Sequence, residues 1–129
     1  MEKTVKISDV IDLREAAQNF KYQTLPLVGA YKLNKLMNSL EKEVTFYGER
    51  FQEIVESYAQ KDEDGNYKFS DEGDQILIQQ DKIDECNEKL DELLNLEVKV
   101  DNLDFSIENL GDNVQCTPEQ LEKLMPFLN

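Results

Sequence analysis

The side chains best placed for chemistry in this chain are acidic. Asp62, Asp64 and Asn66 supply oxygens at the first, third and fifth positions of a loop, as an EF-hand calcium site begins. The pattern then fails, because the sixth position is Tyr67 where glycine is needed and the twelfth is Gly73 where a bidentate glutamate is needed. A solvated acidic turn is expected instead. Asp84/Glu85 and Asp91/Glu92 are paired carboxylates, but acid–base catalysis needs a carboxyl group whose pKa is raised by burial. These pairs fall on a charged helix face, where water keeps them ordinary. Cys86 and Cys116 have no histidine anywhere in the chain to act as base, and they form neither a CxxC pair nor a disulfide framework. The five glycines (29, 48, 65, 73 and 111) are isolated, so no phosphate-cradling loop exists. No catalytic residue, cofactor or metal site is expected; the chain reads as a non-enzyme.

Charge is the stronger signal. The 129 residues carry 28 acids and 14 bases, a formal net charge of −14, which argues against broad attraction to nucleic acid or to an anionic membrane. The excess lies beyond the midpoint. Residues 61–129 hold nineteen acids and six bases, a net of −13, whereas residues 1–60 hold nine and eight. Within the acidic half, Asp71, Asp74, Asp81, Asp84, Glu85, Glu88, Asp91 and Glu92 recur at helical intervals. Like charges so spaced each destabilise a helix by roughly a few tenths of a kcal/mol. A rigid row of carboxylates at phosphate-like spacing would fit the basic groove of a nucleic-acid-binding protein. The plainer alternative is a solubilising face that binds nothing.

The elements that must carry this row follow from periodicity. Residues 4–7 alternate as a short strand. Ser8 is a candidate N-cap for a first helix whose inward side is Val10, Leu13, Ala17 and Phe20. Pro26 breaks the chain and opens a long helix with an unbroken heptad seam: Leu33, Met37, Leu40, Val44, Tyr47, Phe51, Ile54 and Tyr58. Asp64-Gly65 marks a turn, and Tyr67 and Phe69 alternate after it, as in a tiny β-hairpin or an extended tip. Ser70 or Asp71 would cap a second long helix over 71–94, with Ile76, Gln79, Ile83, Cys86, Leu90 and Leu93 as its seam. Two such helices make an antiparallel, coiled-coil-like hairpin over 27–94. After Leu96 the period drops to two, giving strands at 97–101 and 103–107 and an extended piece at Val114. Thr117-Pro118-Glu119-Gln120 is a capping box for a terminal helix over 118–128, with Leu121, Leu124, Met125 and Leu128 inward. The expected fold is α+β and a single domain over 1–129. The hairpin projects from a small antiparallel sheet (4–7 and 97–107), flanked by short N- and C-terminal helices.

Forty per cent apolar content with 9% aromatics suits a globular chain. The first residues lack the apolar run of a signal peptide, and the most apolar stretch, 25–30, is broken by Pro26 and Gly29. Unpaired cysteines fit a reducing compartment, so a cytoplasmic protein is expected.

Residues 61–68 (Lys-Asp-Glu-Asp-Gly-Asn-Tyr-Lys) are followed by Glu-Leu-Leu-Asn-Leu-Glu-Val-Lys-Val at 92–100, then by 107–111 and the capping box at 117–121. This order of features resembles small acidic proteins of bacteriophages and prophages, most of them without an assigned function. The resemblance implies a phage setting, in the cytoplasm of the host cell. It also implies action on host machinery or in assembly.

The leading expectation is therefore a non-enzymatic protein that binds a basic surface of a host protein, as a nucleic-acid mimic or an inhibitor of host defence. The eight acids named above, with Tyr67 and Phe69, form the expected contact surface; direct nucleic-acid or membrane binding is not expected. The rival is a coiled-coil assembly factor, minor virion component or chaperone that self-associates as a homo-oligomer, since a heptad seam does not say whether its partner is in the same chain.

Overall fold

The computed structural model describes residues 2–101 and 103–128. It is an α+β chain with a long helix and a small antiparallel sheet. The chain divides into two compact units, one formed by Met1–Thr45 with Leu96–Asn129, the other by Phe46–Asn95. No helix among the described residues is long and apolar enough to cross a membrane.

In the first unit, strand β1 (Lys3–Lys6) pairs antiparallel with strand β2 (Glu97–Val100), with Lys3 opposite Val100 and Lys6 opposite Glu97. Val5, Val98 and Val100 turn inward and are buried, while Thr4, Lys6, Glu97 and Lys99 face out. Pairing continues into helix α1 (Ile7–Phe20), since the Ile7 N–H donates to the Leu96 carbonyl at 2.9 Å. That contact fixes the start of α1. Lys6, still extended, is the N-cap, and its N–H donates to Asp9 Oδ2 at 2.9 Å. Ser8, the expected cap, therefore lies inside the first turn. The inward side of α1 is Ile7, Val10, Leu13, Ala16 and Phe20; Ala16 takes the buried place expected for Ala17.

Helix α2 (Leu27–Ser57) contributes residues 27–45 to this unit and buries Gly29, Leu33, Leu36, Leu40 and Val44. Leu36, rather than Met37, carries the inward row. Gly29 is required by a close approach: a Cβ there would stand 1.7 Å from the Asn109 carbonyl oxygen. Asn109 belongs to a 3-10 turn over Ile107–Leu110, held by the Ser106 N–H donating to Asn109 Oδ1 at 2.8 Å.

The strand expected over 103–107 does not form. Leu103 and Phe105 are buried, as their alternation required, but this segment joins no strand and passes directly into the 3-10 turn. Val114 is likewise outside any strand. Asn102, in the expected turn between strands, lies outside the described residues.

Helix α4 (Pro118–Leu124) has the anticipated capping box. The Gln120 N–H donates to Thr117 Oγ1 at 3.1 Å, and the Thr117 N–H donates to Gln120 Oε1 at 2.9 Å. Pro126 then tightens the chain into a 3-10 turn over Met125–Phe127, which changes the angular phase. Leu124 is fully buried as expected, but Phe127 is swung inside in place of Met125, which is left 59% exposed.

The second unit departs most from expectation. Residues 71–79 are not helical. Three short extended segments around Ala59, Tyr67 to Phe69 and Ile76 to Ile78 are joined by bridges between Ala59 and Ile78, Lys61 and Tyr67, and Phe69 and Ile76. Their backbone bonds close a ring: the Gln60 N–H donates to Leu77 (2.8 Å), Leu77 to Lys68 (2.9 Å) and Lys68 to Gln60 (2.9 Å). Ring closure pairs each segment with both others, so the short strands present fewer open edges. The acidic turn is built as anticipated, with Gly65 at φ 83° and the Asp62 carboxylate accepting from the Asp64 and Asn66 N–H groups. A second turn has Gly73 at φ 76°, its N–H donating to the Ser70 carbonyl. A 3-10 turn (Gln80–Lys82) then leads into helix α3 (Ile83–Leu94). The expected return helix over 71–94 is thus reduced to its last twelve residues. A left-handed glycine and the β-branched Ile76 and Ile78, two residues apart, favour turn and strand over a first helical turn.

Candidate functional site: an acidic helix face

Helix α3 positions five of the eight acids singled out from the sequence. At 100° per residue, its buried side chains Cys86 and Leu93 lie within about 20° of each other, and Leu90 borders them. Asp84, Glu85, Glu88, Asp91 and Glu92 then occupy an arc of about 120° centred opposite that buried side. All five are exposed. The amphipathic pattern that buries Cys86 and Leu93 therefore turns the carboxylates outward.

The other three do not join this face. Asp81 lies in the 3-10 turn that enters α3, while Asp71 and Asp74 belong to the separate turn closed by Gly73. Asp74 Oδ1 accepts the Ser70 hydroxyl at 3.0 Å, so part of its hydrogen-bonding capacity serves the turn itself. Tyr67 and Phe69 sit on the second extended segment. Tyr67 is half-buried with the Lys61 ammonium 5.4 Å from its ring centroid, and Phe69 is 52% exposed.

Cations relieve the acidic face only at its margin. Lys82 reaches Glu85 at 3.8 Å and Lys89 reaches Glu92 at 3.7 Å, both in solvent where such pairs contribute little. Among the described residues, no lysine or arginine comes within 4 Å of the carboxylates of Asp84, Glu88 or Asp91. Glu85 and Glu88 act on Tyr58, a residue assigned from sequence only to the helix seam. Partial burial, a hydrogen bond to Glu85 and the nearby charges of Glu85 and Glu88 together raise the Tyr58 phenol above its ordinary value of 10.0. Tyr58 directly follows the last residue of α2 and is 25 residues from the start of α3 in the chain, so nothing in the spacing marks it as a neighbour of the acidic face.

Charge is partitioned between the units. Residues 46–95 hold fifteen acids and five bases, a net of −10; the rest of the chain holds thirteen and nine, a net of −4. Burial pushes the Cys86 thiol up, and partial desolvation does the same to the exposed Cys116. Among the described residues, no group of three or more acidic or cysteine side chains is arranged to hold a metal ion. The Asp62 carboxylate is already engaged by two backbone N–H groups of its own turn.

Comparison of the chain with known protein families, with curated proteins and with solved structures gave no match.

Proposed function

We propose that this chain is a non-enzymatic acidic interaction protein of the phage or prophage type, which binds a basic surface on a host protein as a nucleic-acid mimic or defence inhibitor. The observation that carries this reading is the α3 face: five exposed carboxylates opposite the helix's buried side, within a unit of net charge −10. A fixed row of like charges gives a partner lined with lysine and arginine both a steering field and several contacts at once. Tyr67 and Phe69, on the segment 67–69 of the same unit, add the aromatic surface common in protein contacts. The test uses the whole chain immobilised and exposed to lysate of a bacterial host, beside a variant carrying Asp84→Lys, Glu85→Lys, Glu88→Lys and Asp91→Lys. Proteins held by the parent chain should be absent from the variant and released by excess duplex DNA. Retention of the same proteins by the charge-reversed chain overturns the proposal.

A second reading, self-association through the α2 seam, draws on the seam's uncovered end. Beyond Val44 no residue of α2 is buried, and Phe51 is 38% exposed against Tyr47, with ring centroids 5.8 Å apart. On this reading, Phe51→Lys abolishes an oligomer seen by light scattering.

A further inference from the structure

The two-stranded sheet has one edge that the fold leaves open. The Ile7–Leu96 hydrogen bond sets the alternation of the ladder: Val5 with Val98 and Lys3 with Val100 exchange backbone bonds, so the N–H and C=O groups of Glu97 and Lys99 point away from β1. Among the described residues no hydrogen bond reaches those groups from that side. On the β1 edge the outward Lys6 N–H is taken by the Asp9 carboxylate and the chain turns into α1, so Thr4 alone keeps both outward groups without a hydrogen bond among the described residues. Beside β2, the residues Lys99, Val100 and Asp101 form one wall of a cleft of about 400 Å³, and Lys35, Ser39 and Glu43 of α2 form the other. Outward backbone groups on alternate residues are the recognition surface for another extended strand.

We infer that this edge pairs with the same edge of a second copy, making a continuous four-stranded sheet in the order β1-β2-β2-β1 about a two-fold axis. Charge selects this occupant and its register. A two-fold antiparallel pairing must set an outward residue against an outward residue. With Val98 on the axis, Glu97 of each copy faces Lys99 of the other on the solvent side, giving two opposite-charge cross-strand pairs and four backbone hydrogen bonds. Slipping the register by two residues sets Glu97 against Glu97 or Lys99 against Lys99, which like-charge repulsion disfavours. A one-residue slip would oppose outward to inward backbone groups and forms no ladder. The strand Glu-Val-Lys-Val is therefore complementary to itself in one register.

Sedimentation velocity over a concentration series at physiological ionic strength tests this on the full chain. The parent chain should show a concentration-dependent dimer. Glu97→Lys and Lys99→Glu should each weaken it about tenfold or more, since each converts both cross-strand pairs to like charges. The double variant, which exchanges the two charges, should recover parental association. Lys99→Pro removes an N–H that points away from β1, so it should abolish the dimer while the circular dichroism spectrum stays that of the parent. A monomer at every concentration overturns the inference, and so does a double variant that stays as weak as the singles. A dimer dissolved by Phe51→Lys but indifferent to Glu97→Lys overturns it in favour of the α2 seam. Because the acidic α3 face enters nowhere in these variants, failure here leaves the partner-binding proposal standing.

Discussion

At the scale of single residues, two glycines in one helix should respond with opposite sign to the same substitution. Alanine is the better helix former by about 1 kcal/mol, so an exposed helical glycine usually gains from the change. Gly48 meets that condition, with nothing within 4 Å of a Cβ placed there, and Gly48→Ala should stabilise the fold by about 0.5–1 kcal/mol in urea denaturation. Gly29 does not. Its Cβ would meet the Asn109 carbonyl, which is backbone and unable to swing aside, so Gly29→Ala should destabilise by about 1–3 kcal/mol despite the propensity gain. Equal signs for the two variants would mean that α2 and the 107–110 turn are not in contact. Tyr58 offers a charge-based test at the same scale. Its folded-state pKa is raised, so the unfolded chain loses this proton first as pH rises. The stability associated with the protonated phenol is present below pH 10 and is lost as pH climbs through the raised value. Alkaline difference titration against Tyr58→Phe should place the phenol above its ordinary value, and Glu85→Gln should bring it back down. An unchanged titration in Glu85→Gln would remove Glu85 as a cause.

At the scale of elements, what could be read from the sequence depended on whether local and tertiary preferences agreed. The capping box at Thr117 to Gln120 and the Asp64-Gly65 turn are local chemistry, satisfied within four residues, and both formed as expected. The alternation of Leu103, Phe105 and Ile107 suggested a strand; Leu103 and Phe105 are buried and Ile107 is exposed, so alternation there marks two inward residues and not the presence of a pairing strand. The failure over 71–79 has a sharper cause. Ile76 and Gln79 happen to continue the three-four spacing of α3, while Ile76 and Ile78 also satisfy the two-residue period of a strand. Gly73 in a left-handed turn and the ring of bonds through Leu77 favour the second reading. As a result, the acidic row was legible as exposed, but its continuity was not: five members share α3 and three lie elsewhere. One substitution distinguishes the two accounts by sign. In a helix Gly73→Ala would stabilise by about 1 kcal/mol, whereas at φ 76° it should destabilise by about 1–2 kcal/mol. A thermal melt of this variant shifted upward would restore the helical return arm.

At the scale of the whole molecule, apolar burial and charge are distributed in opposite ways. Of the buried hydrophobic residues among those described, only Ala59, Cys86 and Leu93 fall within 46–95; the others, including Phe105 and Phe127, lie in the unit built around the sheet. The unit with least buried apolar surface is also the one with net charge −10. Hydrophobic burial is the main favourable term in folding, and self-repulsion among like charges works against compaction. Both arguments make residues 46–95 the first region to open. They also predict how salt acts. Raising ionic strength from about 0.01 M to 0.15 M shortens the screening length from about 30 Å to 8 Å, which relieves repulsion among carboxylates on one helix face. Native-state hydrogen exchange should therefore show weaker protection in α3 and the 58–79 segments than in α1 and α4 at low salt. Protection in the acidic unit should rise with salt, while the sheet unit changes little. The same salt series should weaken binding to a basic partner, because screening the contact and stabilising the unit that makes it follow from the same carboxylates. If salt instead loosened residues 46–95, the paired charges at Lys82 and Lys89 would outweigh the repulsion, and α3 could not be the uncompensated anionic face that partner recognition requires.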